Sequence, residues 1–319
     1  MFNKSYFSLT LSLLLFLLSS CSKDNKIVSE IDQPDSDLVM VDEDVKTVSF
    51  NVSNYIVDGA LTKTDIDGNN FVWTPGDTVG IFPNTGAQVY FAVNAGQSAS
   101  SASFDGGGWG FKTSATYYGY YPFIGNIYLD RTRVPVSYSG QKQVGQSTTS
   151  HMGPYDYMYT LPTSASSGSL NFTFKHLNSI VYFIATLPAG TYTKMAITAP
   201  SELFTSKGYF NLMSSSPAIV PTDYTNQITI DLEDITLTAQ TTFNVYFMCA
   251  PINLNGIEVT VSALNSERKE YQCKKTPSRA YVAGTIYYLT CSSFSEVPQS
   301  MGLIIDDWGD GGDIGGTAD

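Results

Sequence analysis

The chain has 319 residues and a formal net charge of −12; 14% of its residues are charged and 13% aromatic, among them 21 Tyr and 18 Phe. That acidic balance excludes nucleic acid as a partner, since such binding depends on Lys and Arg neutralising phosphates. Abundant aromatic, Thr, Ser and Val residues, with no sustained apolar pattern of helical period after residue 21, indicate an all-β protein.

In chain order, Lys4 precedes an apolar run from Leu9 to Leu18 and then Leu18-Ser19-Ser20-Cys21. The run is about ten residues, short of the roughly 20 that span a bilayer. The order of charge, apolar run and small residues predicts a lipoprotein signal over 1–20, removed to leave a lipid-modified Cys21. The polypeptide would then work outside the cytoplasm, with its membrane contact made by the lipid. Residues 21–44 follow as an acidic tether: from Ser22 to Asp44 there are eight acids against Lys23 and Lys26, and no aromatic. Such a segment stays solvated and reaches about 70 Å when extended.

Folded structure is expected from residue 45. Val48, Phe50, Val52 and Ile56 alternate with polar neighbours up to Asp58-Gly59, which predicts one long half-buried strand. Further strands are predicted over 71–73, 78–82, 89–93, 117–121 and 155–159, separated by turn signals such as Asp67-Gly68 and Asn84-Thr85-Gly86. The Pro, Ser and Gly stretch over 161–168 predicts a boundary between an N-terminal β-sandwich (45–161) and a C-terminal one (169–292). The second set of strands is expected over 170–174, 180–185, 195–198, 228–232, 243–249, 257–264, 269–273 and 286–289, with Asn255-Gly256 as a hairpin turn. Beyond 293 the chain turns acidic and Gly-rich, and residues 293–319 read as a flexible tail.

No catalytic or metal-binding constellation emerges, and no cofactor is implied. Asp65-Ile66-Asp67-Gly68-Asn69 alternates oxygen ligands like a calcium loop, but Gly76 stands where the bidentate acid belongs, so it reads as a turn. The acids between Asp306 and Asp313 meet no defined loop pattern either. His151 and His176 are the two histidines; His176 lies in a strand-like segment and reads as a hydrogen-bonded structural residue. Cys249 ends the alternation Phe243, Val245, Phe247 and belongs to a core face; the sequence leaves open which two of Cys249, Cys273 and Cys291 pair, if any. The tyrosines at 117–121 and at 155, 157 and 159 fit either cross-strand pairs on a sheet or an aromatic platform for sugars.

The signal motif, the block Phe71-Val72-Trp73-Thr74-Pro75-Gly76-Asp77-Thr78-Val79-Gly80-Ile81-Phe82, the block Tyr117-Tyr118-Gly119-Tyr120-Tyr121-Pro122 and the block Phe172-Thr173-Phe174-Lys175-His176-Leu177 together resemble the fimbrillin-like family of type V pilins. The resemblance implies two tandem transthyretin-like β-sandwich domains, export as a lipoprotein to the outer membrane, and assembly with other pilin subunits into fimbriae that serve adhesion to a host or bacterial receptor. It further implies a detachable first strand, here Val48, Phe50, Val52 and Ile56, whose removal by proteolysis opens a groove for a donated strand. The best-known members are cut after an arginine. No arginine precedes Arg131 in this chain, and Lys63 occupies the corresponding stretch as the candidate processing site. Leu303, Ile305 and Trp308 in the tail are the candidate donor residues. A vacated strand position exposes unpaired backbone groups beside an apolar slot, which is a template for strand addition. The alternative reading is a monomeric surface lipoprotein that binds glycans through aromatic loops.

Overall fold

The computed structural model describes residues 44–53, 56–58, 73–93, 101–102, 104–106, 110–125 and 129–298. Cys21, Lys63, Leu303, Ile305 and Trp308 lie outside the described residues, as do the Asp65–Asn69 turn and almost all of the expected tether. The first twelve strands are β1 (Thr47–Val52), β2 (Ile56–Asp58), β3 (Thr78–Pro83), β4 (Val89–Val93), β5 (Ser101–Ala102), β6 (Phe104–Gly106), β7 (Thr116–Tyr121), β8 (Val134–Ser137), β9 (Gln141–Val144), β10 (Met158–Thr160), β11 (Thr163–Ser164) and β12 (Ser169–His176). The next twelve are β13 (Ser179–Leu187), β14 (Gly190–Thr198), β15 (Phe204–Phe210), β16 (Ile219–Thr225), β17 (Gln227–Leu237), β18 (Thr241–Cys249), β19 (Ile252–Asn253), β20 (Val259–Asn265), β21 (Glu270–Lys275), β22 (Ala280–Tyr281), β23 (Thr285–Cys291) and β24 (Ser295–Glu296).

Side-chain alternation decides which faces these strands bury. In β12, Leu170, Phe172 and Phe174 are buried while Asn171, Thr173 and Lys175 are exposed, the period of a strand with one wet face. The nine-stranded sheet that contains it runs β5-β1-β12-β10-β7-β3-β4-β6, with β11 paired to β7. Its inner face carries Phe50, Ile81, Phe91, Phe172 and Phe174, which share one apolar cluster with Trp73. β13 instead is buried on both faces. Val181, Phe183 and Ala185 point into a second cluster, where the four-stranded sheet β18-β13-β23-β2 packs on the six-stranded sheet β24-β21-β20-β14-β17-β9. Ile180 and Tyr182 point the other way, into a third cluster with Phe82 and Tyr120 of the nine-stranded sheet and Val134 and Val136 of β8. The all-β expectation is met by stacked sheets, and the third core ties the two halves together.

The expected boundary over 161–168 does not coincide with a division between sheets. β12, which follows it, pairs with β1 and β10 in the N-terminal sheet. Conversely β8 and β9, which precede it, pair with β15 and β17. Pro, Ser and Gly content marks a turn at Ser166 to Ser169, where the two residues bridge, and says nothing about which sheet receives the strand that follows. Similarly, the strand expected over 155–159 is a 3-10 turn at Gly153–Tyr155 followed by the shorter β10.

Cys273 of β21 and Cys291 of β23 form a disulfide that joins the two sheets of the C-terminal half, and Cys249 is a free, buried thiol. The bridge closes a loop of 18 residues. Replacing both bridged cysteines by alanine is expected to lower stability by about 2–4 kcal/mol through the entropy regained by the unfolded chain. A denaturant midpoint that does not move would show the bridge to be dispensable.

Candidate functional site at the seat of the first two strands

The stretch expected to be one strand is two strands in two sheets. β1 lies parallel to β12, from Thr47 opposite Ser169 to Val52 opposite Phe174. On its other side, among the described residues, it meets Ser101 and Ala102 of β5. β2 lies parallel to β23, Ile56 opposite Thr285 and Asp58 opposite Tyr287, as the outer strand of the four-stranded sheet.

Phe50 carries the packing. It is 2% exposed and its ring stacks on Phe172 at 5.3 Å between centroids, with Phe91 at 5.7 Å. Val48 and Val52 are partly buried against the same cluster. On the opposite face Thr47 Oγ1 donates to Ser169 Oγ and Ser49 Oγ donates to Asn171 Oδ1, both at 2.7 Å and both near water. Ile56 corrects the expectation: it is 69% exposed, because the chain changes sheets after Ser53 and the two-residue periodicity no longer refers to one core.

A buried polar group holds the crossing point. Ser53 N–H donates to the Phe174 carbonyl at 2.9 Å, and the Ser53 carbonyl is 2.8 Å from His176 Nε2. The other ring nitrogen, Nδ1, is 2.9 Å from Asp156 Oδ1, with both side chains almost wholly buried. Asn178 Nδ2 donates to the same carboxylate oxygen at 3.1 Å, and Tyr138 OH donates to Asn178 Oδ1. His176 continues the buried row Leu170, Phe172, Phe174, so the structure bears out a hydrogen-bonded histidine. Asp156 and Ser53 carried no sequence signal of their own.

The opposite edge of the four-stranded sheet is closed differently. Gln141 and Gln143 of β9 are 1% and 0% exposed and reach across to the outer strand β18. Gln141 donates through Nε2 to the Met248 carbonyl at 2.9 Å and accepts from Met248 N–H at 2.8 Å. Gln143 donates to the Asn244 carbonyl at 2.8 Å and accepts from Tyr246 N–H at 3.2 Å. Two side-chain amides thus stand in for a neighbouring strand and occupy four backbone groups of β18 where it would otherwise invite pairing. The edges of this sheet are unequal: side chains occupy the hydrogen-bonding groups of one, and the other carries a three-residue strand with an exposed apolar side chain.

The tyrosines singled out as a sugar platform are largely interior. Tyr117, Tyr120, Tyr121 and Tyr157 are buried, and Tyr118, Tyr155 and Tyr159 pack on the third cluster. Burial pushes the Tyr120 phenol up to about 12, and the Cys249 thiol likewise to about 12. Among the described residues no group of three or more His, Cys, Asp or Glu is placed to hold a metal ion.

A family model described as fimbrillin-like matches residues 60–308, more than half of the chain. No curated protein sequence matches it. Among solved structures it is similar to a Bacteroides uniformis ATCC 8492 protein whose proposed role is cell adhesion, at 16% identity and a TM-score of 0.49 over 70% of this chain and 91% of that one. A Bacteroides ovatus ATCC 8483 protein of the same proposed role gives 15% and 0.48 over 80% and 97%. The fimbrial anchor protein Mfa2 of Porphyromonas gingivalis gives 10% and 0.36 over 78% and 94%.

Proposed function

We propose that this chain, which belongs to the fimbrillin-like family, is a non-enzymatic fimbrial subunit or anchor that is exported as a lipoprotein and assembles on the cell surface by donor-strand exchange. The observation that carries this reading is that one short stretch, residues 47–58, supplies β1 and β2 to two different sheets, each by parallel pairing along a single longer strand. A segment held in this way can leave without dismantling the pairing of any other two long strands. What it vacates is an apolar slot, at Phe50, beside the free backbone groups of β12 and β23.

Magnitudes support exchange without covalent links. Phe50, Val48 and Val52 together contribute roughly 5–8 kcal/mol as an upper estimate, and ladder hydrogen bonds about 1 kcal/mol each. The exposed Ile56 adds little to that sum. A donor with equivalent side chains recovers the same terms, and the candidate is the tail bearing Leu303, Ile305 and Trp308. The Cys273–Cys291 bridge fits an oxidising compartment outside the cytoplasm, as export through a lipidated Cys21 requires. Cleavage after Lys63 would free the first two strands; an uncut chain would remain an anchor in the outer membrane. Its partners would be further subunits and a surface receptor, with adhesion as the outcome. The glycan-binding alternative loses its expected base, since most of the tyrosines it called on lie in the cores.

The test is electrophoresis of surface protein with and without boiling, followed by N-terminal sequencing. We expect a detergent-resistant ladder that collapses on strong heating and, in its subunits, a start at Thr64. A monomer at every temperature would refute assembly by strand exchange.

A further inference from the structure

We propose that His176, oriented by Asp156, is a receptor for a main-chain carbonyl at the point where a strand leaves the nine-stranded sheet: Ser53 fills it in the single chain, and the corresponding carbonyl of a donated strand fills it in the polymer. The inference rests on the strand-exchange reading and names a positioning residue for that same seat.

The argument starts from proton counting. A carbonyl oxygen only accepts, so the 2.8 Å contact between His176 Nε2 and the Ser53 carbonyl requires a hydrogen on Nε2. Asp156 Oδ1 faces Nδ1 at 2.9 Å and also accepts from Asn178 Nδ2. The hydrogen on Nε2 is thus fixed by the acceptor it meets, and the Nδ1 contact with Asp156 fixes the orientation of the ring.

The phenols packed here stay neutral, as does the buried Cys249 thiol beside Tyr138. Tyr121 and Tyr138, both of which feel the Asp156 charge, are pushed well above the usual range chiefly by burial. Tyr157 is raised by burial too. Asp77 stands one phenol further away and accepts from Tyr121 OH at 2.8 Å. The grip on the strand is therefore one hydrogen bond, donated by the ring of a buried side chain.

Recognition of a carbonyl is indifferent to the side chain of the residue that supplies it. A seat built in this way accepts the main chain of a donor whose sequence differs from that of β1, provided the donor extends as far as the crossing point. A buried ring N–H left without an acceptor disfavours an empty seat, which biases the subunit towards being filled by its own strand or by another's.

The experiment uses the full chain. Histidine-selective nitrogen-15 labelling gives two residues to observe, and His151, whose Nε2 donates to the Tyr246 carbonyl at 2.9 Å while its Nδ1 has no partner, is the singly protonated reference. We expect His176 to carry a hydrogen on Nε2. In parallel, deuterium uptake of a peptide covering residues 44–53, corrected for intrinsic exchange, should be raised at least about tenfold in His176→Leu, as expected for losing a buried hydrogen bond, with the peptide of β14 unchanged. If His176→Leu does not fold, the nitrogen spectrum of the unaltered chain still decides the matter. A bare Nε2 on His176, or unchanged protection of residues 44–53 in His176→Leu, would overturn the proposal. Failure of strand exchange itself would register as absence of the heat-sensitive ladder, a separate readout from the protonation and protection of the single chain.

Discussion

Phe50→Asp is expected to cost about 4–6 kcal/mol and to release β1. The phenyl ring fills a slot between Phe172 and Phe91, and Asp puts a cavity and an unpaired charge there together. That loss is comparable to the whole stability of many domains, but β1 has an easier escape than global unfolding, since among the described residues its outer side is flanked at two positions, by β5. Deuterium uptake should therefore rise first and most strongly in residues 44–53. Ile56→Asp is the control. At an exposed position in β2 it should change stability by no more than about 0.5 kcal/mol. Equal effects of the two variants would mean that the apolar slot does not hold the segment.

The second large effect is expected at the opposite edge. Gln141→Leu combined with Gln143→Leu keeps the volume of both side chains but removes every partner they give to β18. The amide N–H groups of Tyr246 and Met248 and the carbonyls of Asn244 and Met248 would each lose a hydrogen bond inside the protein. At about 1–3 kcal/mol for each unsatisfied buried group, a combined loss of about 4 kcal/mol or more follows, even after new apolar burial offsets part of it. The denaturant midpoint reads the loss, and sedimentation reads its consequence. An open β18 edge should produce irregular association that the unaltered chain does not show, because the glutamines confine strand addition to the other side of the sheet. A stable, monodisperse double variant would refute the capping role.

Much of the architecture was legible in alternation. β12, β18 and β20 were expected because apolar residues recur at every second position and face a core, and β13, buried on both faces, because residues 180–185 are a continuous apolar run. Among the strands of four residues or more, four were missed, each for a physical reason. β8 and β16 contain proline, which signals an interruption unless the strand lies where its missing N–H is not needed. β15 contains Lys207-Gly208, and that glycine is required by packing: a Cβ there would come 2.6 Å from the Val220 carbonyl oxygen of the neighbouring strand. β9 inverts the usual rule, turning Gln141 and Gln143 inward and leaving Val144 46% exposed, because its inner face makes hydrogen bonds to another sheet.

The site was legible only in part. The polar and apolar alternation from Val48 to Val52 announced β1 and placed Phe50 in a core. Nothing in the spacing of Ile56 disclosed that the chain changes sheets at Ser53, since a two-residue period survives such a crossing. The row Leu170, Phe172, Phe174, His176 did contain a usable signal. A titratable residue that continues a buried row must find a polar partner, and the structure supplies Asp156 and the Ser53 carbonyl. Which acid that would be depended on the fold, as did the pairing of Cys273 with Cys291 in preference to Cys249.

The most direct measurement is to cut the folded full-length protein with trypsin at Lys63, let it stand at high concentration, and analyse any detergent-resistant oligomers by mass spectrometry. The account predicts oligomers whose subunits begin at Thr64, with the fragment carrying residues 47–58 released into solution. A cut chain that stays monomeric and keeps that fragment bound, or oligomers that retain it in equal proportion, would contradict the claim that the first two strands are exchanged.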